Sequence, residues 1–341
     1  MTRARQSGIA IALALASLSP VVADDQQPAP ARTARGSVWV MPRLADGRPD
    51  LEGTWENNSA TPLERPKQFA NKPLLSDEEV ATLERRARQL FGPEAEATFG
   101  DALYTTLLAD SRPRGLGATG SYSQNWLPDR YFERRTSLIV DPPDGRLPPM
   151  TPAGLKRRAA TVAFGRIGAS VQEMSLQDRC IHYGFPDLFA AYMAVYRIVQ
   201  GPDYVAIQLE KIHDTRVIPI GNSRHLPGSM HQYLGDSRGR WEGDTLVVES
   251  TNFHPKGNPM GGYSVLSDEN MRLVERFRRT ADDTLEYTFT VDNPTMWTKP
   301  WTATIYWKRS RGELLEYACH EGNYSLRGML AGARADEAAG R

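Results

Sequence analysis

GDSRGRWEGDTLVVESTNF, residues 235–253, holds two extended runs and the turn that joins them. Glu242-Gly243-Asp244 has turn chemistry, because glycine and aspartate tolerate the tight backbone that such a reversal needs. Thr245–Ser250 is rich in β-branched residues and follows a shorter run at Arg240-Trp241. That composition marks strands rather than helix.

The same grammar extends on both sides, from Tyr192 to His320. Met193–Gln200 and Tyr204–Glu210 are strand-like and are separated by Gly201-Pro202-Asp203. Ile212–Ile220 follows and ends at Gly221-Asn222. In Met271–Thr280, alternation places Leu273, Glu275 and Phe277 on one face and Val274, Arg276 and Arg278 on the other. Thr284–Val291, Pro300–Lys308 and Glu313–Cys319 complete a run of about eight strands, enough for an up-and-down barrel. Short connections force antiparallel pairing, since a parallel partner needs a long crossover. The expected class is mainly β: an antiparallel up-and-down meander closing into a barrel or half-barrel in preference to a two-sheet sandwich. Closing the sheet removes its exposed edges.

Ahead of the strands the chain reads differently. Residues 1–23 have the form of an export signal: Arg3 and Arg5, an apolar run from Ile9 to Leu18, and small residues up to Ala23. That run is too short to cross a bilayer, which takes about 20 residues. Residues 24–43 read as a flexible leader. Residues 44–190 read as an arm and two or three helices packed on the barrel, residues 191–325 as the barrel and residues 326–341 as a tail. Ser76-Asp77-Glu78-Glu79 is a capping box opening a helix to about Phe91. Thr151-Pro152 opens another, running through Phe164. A weaker helix is expected over residues 94–108.

The 41 basic and 41 acidic residues balance, which argues against a nucleic-acid partner. Export permits a disulfide, and the two cysteines, Cys180 and Cys319, flank the strand run. A structural bridge is the first reading; free thiols or a reactive thiol are the alternatives.

DGRPDLEGTW (46–55), TPLERP (61–66), RTSLIVDPPDGRLPPMTPAG (135–154), residues 235–253 and EYACHEGNY (316–324) together resemble a widespread family of exported, mostly uncharacterised bacterial proteins. The resemblance spans roughly residues 44–335; it implies export and no particular activity. Gly53-Thr54-Trp55 is also similar to the Gly-x-Trp entry of calycin- and lipocalin-like barrels, which implies a calycin-like barrel. In those folds the motif lies on the first strand, whereas here more than a hundred residues separate it from the meander.

The candidate chemistry centres on histidine, whose ordinary pKa lies near neutrality. In Ile-His-Asp-Thr-Arg, alternation places His213, Thr215 and Val217 on one face and Asp214, Arg216 and Ile218 on the other. His213 is a candidate acid or base, with Asp214 or Glu321 orienting it and Arg216 or Arg179 stabilising negative charge. His320 follows the last predicted strand. His225, His231 and Tyr233 lie in a long loop, a usual place for binding residues. Tyr263, Trp297 and Trp301 are candidates for holding a flat apolar ligand. The chain has no nucleophile elbow, phosphate loop, dinucleotide fingerprint or HExxH.

The expected function is an exported, cofactor-independent enzyme of lyase or isomerase type. It would act on a hydrophobic or aromatic small molecule by acid–base chemistry. The alternatives are a periplasmic carrier for such a molecule and a metal-dependent hydrolase using the histidines.

Overall fold

A computed structural model describes residues 39–90, 104, 106–108, 130–164, 170–188, 193–256 and 266–340. The expected signal segment, residues 24–38 of the leader and Tyr263 lie outside the described residues. So does most of the helix expected over residues 94–108.

Ten strands form one sheet: β1 (Gly53–Glu56), β2 (Ile139–Asp141), β3 (Val195–Gln200), β4 (Tyr204–Leu209), β5 (Thr215–Pro219), β6 (Asp236–Glu242), β7 (Thr245–Thr251), β8 (Arg272–Ala281), β9 (Thr284–Asp292) and β10 (Trp301–Arg309). Nine of them follow the order β5-β4-β3-β1-β10-β9-β8-β7-β6, with β2 attached to β10. Each hydrogen-bonded pair along that order is antiparallel. The two ends of the order meet where Ile220 bridges Gly239 in parallel and the Gly221 N–H donates to the Gly239 carbonyl. The result is a nearly closed barrel, as the strand count predicts.

The parallel seam follows from arithmetic. A ring of strands in which every neighbour is antiparallel needs an even number, and this ring has nine. One junction must therefore be parallel, and a parallel pair needs a crossover. Residues 220–235 are that crossover. They return the chain from the end of β5 to the end at which β5 began. Gly239 lets the seam close: a Cβ there would lie 2.6 Å from Ile220 Cδ1 and 2.9 Å from Ile218 Cγ2.

β1 corrects the reading of its segment as an arm packed on the barrel. It is a barrel strand, paired with β3 on one side and β10 on the other. The Gly-x-Trp segment thus holds the first place in the ring despite its distance in sequence from β3. Trp55 is fully buried, and its indole N–H donates to the Leu51 carbonyl at 2.9 Å. Two other expectations are revised. Residues 313–319 form no strand, and the segment expected as a tail contains a helix over Tyr324–Ala338.

The three named α-helices of the described residues are α1 (Asp77–Leu90), α2 (Pro152–Phe164) and α3 (Tyr324–Ala338). The capping box forms as the sequence predicts. The Glu79 N–H donates to Ser76 Oγ at 3.2 Å, and the Ser76 N–H donates to Glu79 Oε2 at 2.8 Å. Thr151 Oγ1 accepts from the Gly154 N–H at 2.9 Å and caps α2.

Inward-facing residues fill the barrel. Tyr196 stacks on Trp307 with ring centres 4.0 Å apart, and Tyr287 lies 4.8 Å from both Trp307 and Phe277. Glu275, between Leu273 and Phe277 on that face, is fully buried. Its carboxylate accepts from Arg216 Nη2 at 2.7 Å, Arg216 Nη1 at 3.2 Å and the Tyr287 hydroxyl at 2.9 Å. Arg216 Nη2 also donates to Ser237 Oγ and Ser250 Oγ. One network thus joins β5, β6, β7, β8 and β9 and crosses the parallel seam.

The register distinguishes the two ends of the barrel. At the plain end, the short turns of β3–β4, β6–β7 and β8–β9 meet the segment before β1. There Arg43 pairs with Asp244 at 2.6 Å, and the Leu51 N–H donates to Gln200 Oε1 at 2.7 Å. The long connections gather at the other, elaborated end. Cys180 and Cys319 form the expected disulfide, 139 residues apart in sequence. A bridge closing so long a loop restricts the unfolded chain most. We predict that the Cys180→Ser/Cys319→Ser double variant loses about 2–5 kcal/mol of unfolding free energy in urea titration. An unchanged midpoint would show that the bridge is not part of the stabilising framework.

Candidate functional site

Residues 180–187, Cys-Ile-His-Tyr-Gly-Phe-Pro-Asp, close the elaborated end like a stopper. The disulfide fixes one end of this segment, and Tyr183 and Ile212 pack against Tyr317 and Cys319 beside it. An ion pair fixes the other end. Lys211 Nζ lies 2.7 Å from Asp187 Oδ2, with both side chains fully buried. The Tyr196 hydroxyl donates to the same carboxylate at 3.2 Å. Burial pulls the Lys211 ammonium below its usual pKa, against the attraction of Asp187. In the middle, the Phe185 ring lies 3.8 Å from the Arg216 guanidinium.

Between stopper and barrel wall is a recess lined by Gly184, Phe185, Tyr196, Ile207, Leu209, Asp214, Arg216 and Leu234. Its free space is about 10 Å³, room for about one water-sized group. Half-buried Asp214 and Leu234 form its mouth. Desolvation pushes the Asp214 carboxyl up to about 7, against a backbone hydrogen bond from Tyr183. A carboxyl so placed exchanges its proton near neutral pH, as a general acid or base must. The Arg216 side chain is only 5% exposed, and its Nε–H has no hydrogen-bond partner among the described residues.

His182 stands beside the recess and is buried. Its Nδ1 accepts from the Gly184 N–H at 2.7 Å, which assigns the ring proton to Nε2. Burial lowers its pKa to about 4, so the ring is neutral at pH 7. Its Nε2 has no partner among the described residues. The Tyr233 ring lies 5.5 Å from His182 and stacks on His254 at 4.5 Å. Burial also lowers the pKa of His254, helped by Lys256 and His231.

The residues singled out from the sequence separate into groups. Asp214 and Arg216 share the recess. His213 does not join them. Ile212 and His213 have positive φ angles of 57° and 48° in a tight turn, so β5 starts only at Thr215. His213 is exposed on the outside, with Nδ1 3.2 Å from the Tyr317 carbonyl oxygen. His320 and Glu321 are exposed in the turn after the disulfide, and Arg179 is half-buried one residue before it. His225 lies 2.9 Å from Asp236 Oδ2 through Nδ1, and His231 Nδ1 lies 3.1 Å from the Phe253 carbonyl oxygen. Trp297 and Trp301 are core residues, packed edge to face at 5.7 Å.

His182, Asp187, Tyr196, Lys211 and Glu275 are the residues that sequence reading passed over. Glu275 carried a visible signal: the alternation already placed it between Leu273 and Phe277 on one face. No comparable periodicity marks the stopper. Among the described residues, no three His, Cys, Asp or Glu side chains gather in a metal-holding group. Comparison with protein-family models, functionally characterised proteins and solved structures gave no match.

The Asp214 carboxyl has a testable signature. It holds its proton to about pH 7 in the folded chain, against 3.8 ordinarily. Between those values the folded state binds the extra proton, so this contribution is complete at low pH and is lost as pH rises through 7. We predict that Asp214→Asn flattens the fall in urea stability between pH 4 and 8. The variant should gain most over the parent at pH 8. Parallel stability–pH curves for variant and parent would contradict the assignment.

Proposed function

We propose that the protein is an exported enzyme that moves a proton on a small, flat, largely apolar molecule at the elaborated end of the barrel, without an organic cofactor. The observation that carries this reading is Asp214. Its carboxyl is desolvated, poised near neutral pH and placed at the mouth of a recess that Arg216 also lines, and Arg216 Nε–H has no hydrogen-bond partner among the described residues. A base that titrates near the working pH combines the right protonation state with a strong drive for proton transfer. Neutral His182 adds a second donor with no partner among the described residues, and Tyr233 and His254 offer ring faces.

The filled interior favours this reading over a carrier. A barrel that encloses a ligand needs an open cavity. Here Trp55, Tyr196, Phe277, Tyr287, Trp301 and Trp307 are all essentially buried within it. The export assignment is supported by the disulfide, which persists in oxidising compartments, and by the apolar run at residues 9–18. No described helix is long and apolar enough to cross a membrane.

Proton abstraction leaves an isotopic mark. The test is incubation of the protein in D2O with a small-molecule extract of its native compartment, followed by mass spectrometry. We predict a compound that gains deuterium with the parent protein and not with Asp214→Asn. Equal labelling by both proteins, or none by the parent, would contradict the proposal.

A further inference from the structure

The recess has a shape and a polarity that specify more than a proton-transfer site. Its free volume has room for one small, water-sized group. Phe185, Ile207, Leu209 and Leu234 make most of its wall apolar. Its polar side chains are Tyr196, Asp214 and Arg216. The Tyr196 hydroxyl already donates to Asp187. Both terminal nitrogens of Arg216 donate to Glu275. What remains is Arg216 Nε–H, a buried donor with no acceptor among the described residues. An unmet buried donor is unfavourable, so an acceptor atom that reaches it recovers that deficit.

Charge narrows the class of acceptor. Glu275 neutralises the Arg216 guanidinium at 2.7 Å, so the site offers direction without net positive charge. A free carboxylate entering there would meet the carboxyls of Asp214 and Glu275. A neutral carbonyl oxygen meets neither obstacle.

We infer that the recess is an oxygen site for a carbonyl substrate, with Arg216 Nε–H donating to the carbonyl oxygen and Asp214 placed at the adjacent carbon. This rests on the acid–base reading above and deepens it. The Asp214 carboxylate takes a proton from the carbon next to the carbonyl. The C–H electron pair becomes the C=C bond of an enolate, and the carbonyl π pair moves onto oxygen. Arg216 Nε–H stabilises that oxygen as charge develops, the role of a preorganised oxyanion donor. Return of the proton to a different carbon gives an isomer, and departure of a β-substituent with the electron pair gives an elimination. No oxidant or reductant enters.

Acetophenone and ethylbenzene, alike in size but differing in the oxygen, provide the probe pair. We expect the parent protein to bind acetophenone about tenfold or more tightly in calorimetric titration, the scale of one hydrogen bond to a buried donor. Leu209→Phe, which fills the recess and leaves Asp214 and Arg216 in place, should erase that preference. Should this variant fail to fold, the carbonyl 13C resonance of labelled acetophenone on the parent protein replaces it and should move downfield on binding. Equal affinity for the two compounds, or no acetophenone binding, would show that the recess holds only water and would overturn the inference. Deuterium exchange at the acetophenone methyl group separates the two levels. Oxygen preference without exchange would uphold the oxygen site and count against the acid–base reading. Asp214-dependent labelling in the extract with no oxygen preference would do the reverse.

Discussion

The buried Arg216–Glu275 pair is the constraint on which the rest of the barrel depends. Nine strands leave one parallel junction, and that junction, between β5 and β6, has little backbone hydrogen bonding of its own. Side chains make up the difference. Arg216 reaches from β5 to Ser237 on β6, Ser250 on β7 and Glu275 on β8, and Tyr287 joins from β9. Two desolvated charges are tolerable only because several hydrogen bonds surround them. The same constraint shapes the candidate site. Arg216 commits its terminal nitrogens to the network at the seam and leaves Nε–H without a partner among the described residues.

The seam also decides where the irregular chain goes. A parallel junction requires a crossover, and residues 220–235 bring Tyr233 and Leu234 back to the end where β5 begins. That end already receives the stopper, which the disulfide and the Lys211–Asp187 pair hold from two sides. Tight turns and the segment before β1 occupy the opposite end. The asymmetry between the ends is therefore a product of topology, and it concentrates His182, Asp214, Tyr233 and His254 on one side of the molecule.

Much of the barrel was legible in the sequence because alternation is a local signal. Leu273, Glu275 and Phe277 share the inner face, as their spacing predicts, and Arg216 faces inward with Ile218. The capping box at Ser76 and the disulfide were legible for similar reasons: a short motif in one case, a pair of cysteines in the other. Three things were not. β1 pairs across more than a hundred intervening residues, which no local pattern encodes. His213 carried the most obvious chemistry but sits in a positive-φ turn that ends the alternation just before β5. His182 depends on a backbone hydrogen bond from Gly184 that exists only once the stopper is folded. Asp214 was visible as a residue type, but its elevated pKa comes from burial, and burial is a property of the assembled end.

A filled barrel with a site at its rim differs physically from a hollow one with a ligand inside. Here the interior provides rigidity, and the pair that locks it also shapes the recess. The most direct measurement is a double-mutant cycle on that pair, with Arg216→Met, Glu275→Leu and the two combined, read as unfolding free energy in urea. Each single change leaves a buried charge alone and should lower stability by about 3–5 kcal/mol. The combined change removes both charges and should recover most of that loss. Small single effects that simply add would contradict the account, because the pair would then not be what holds the seam.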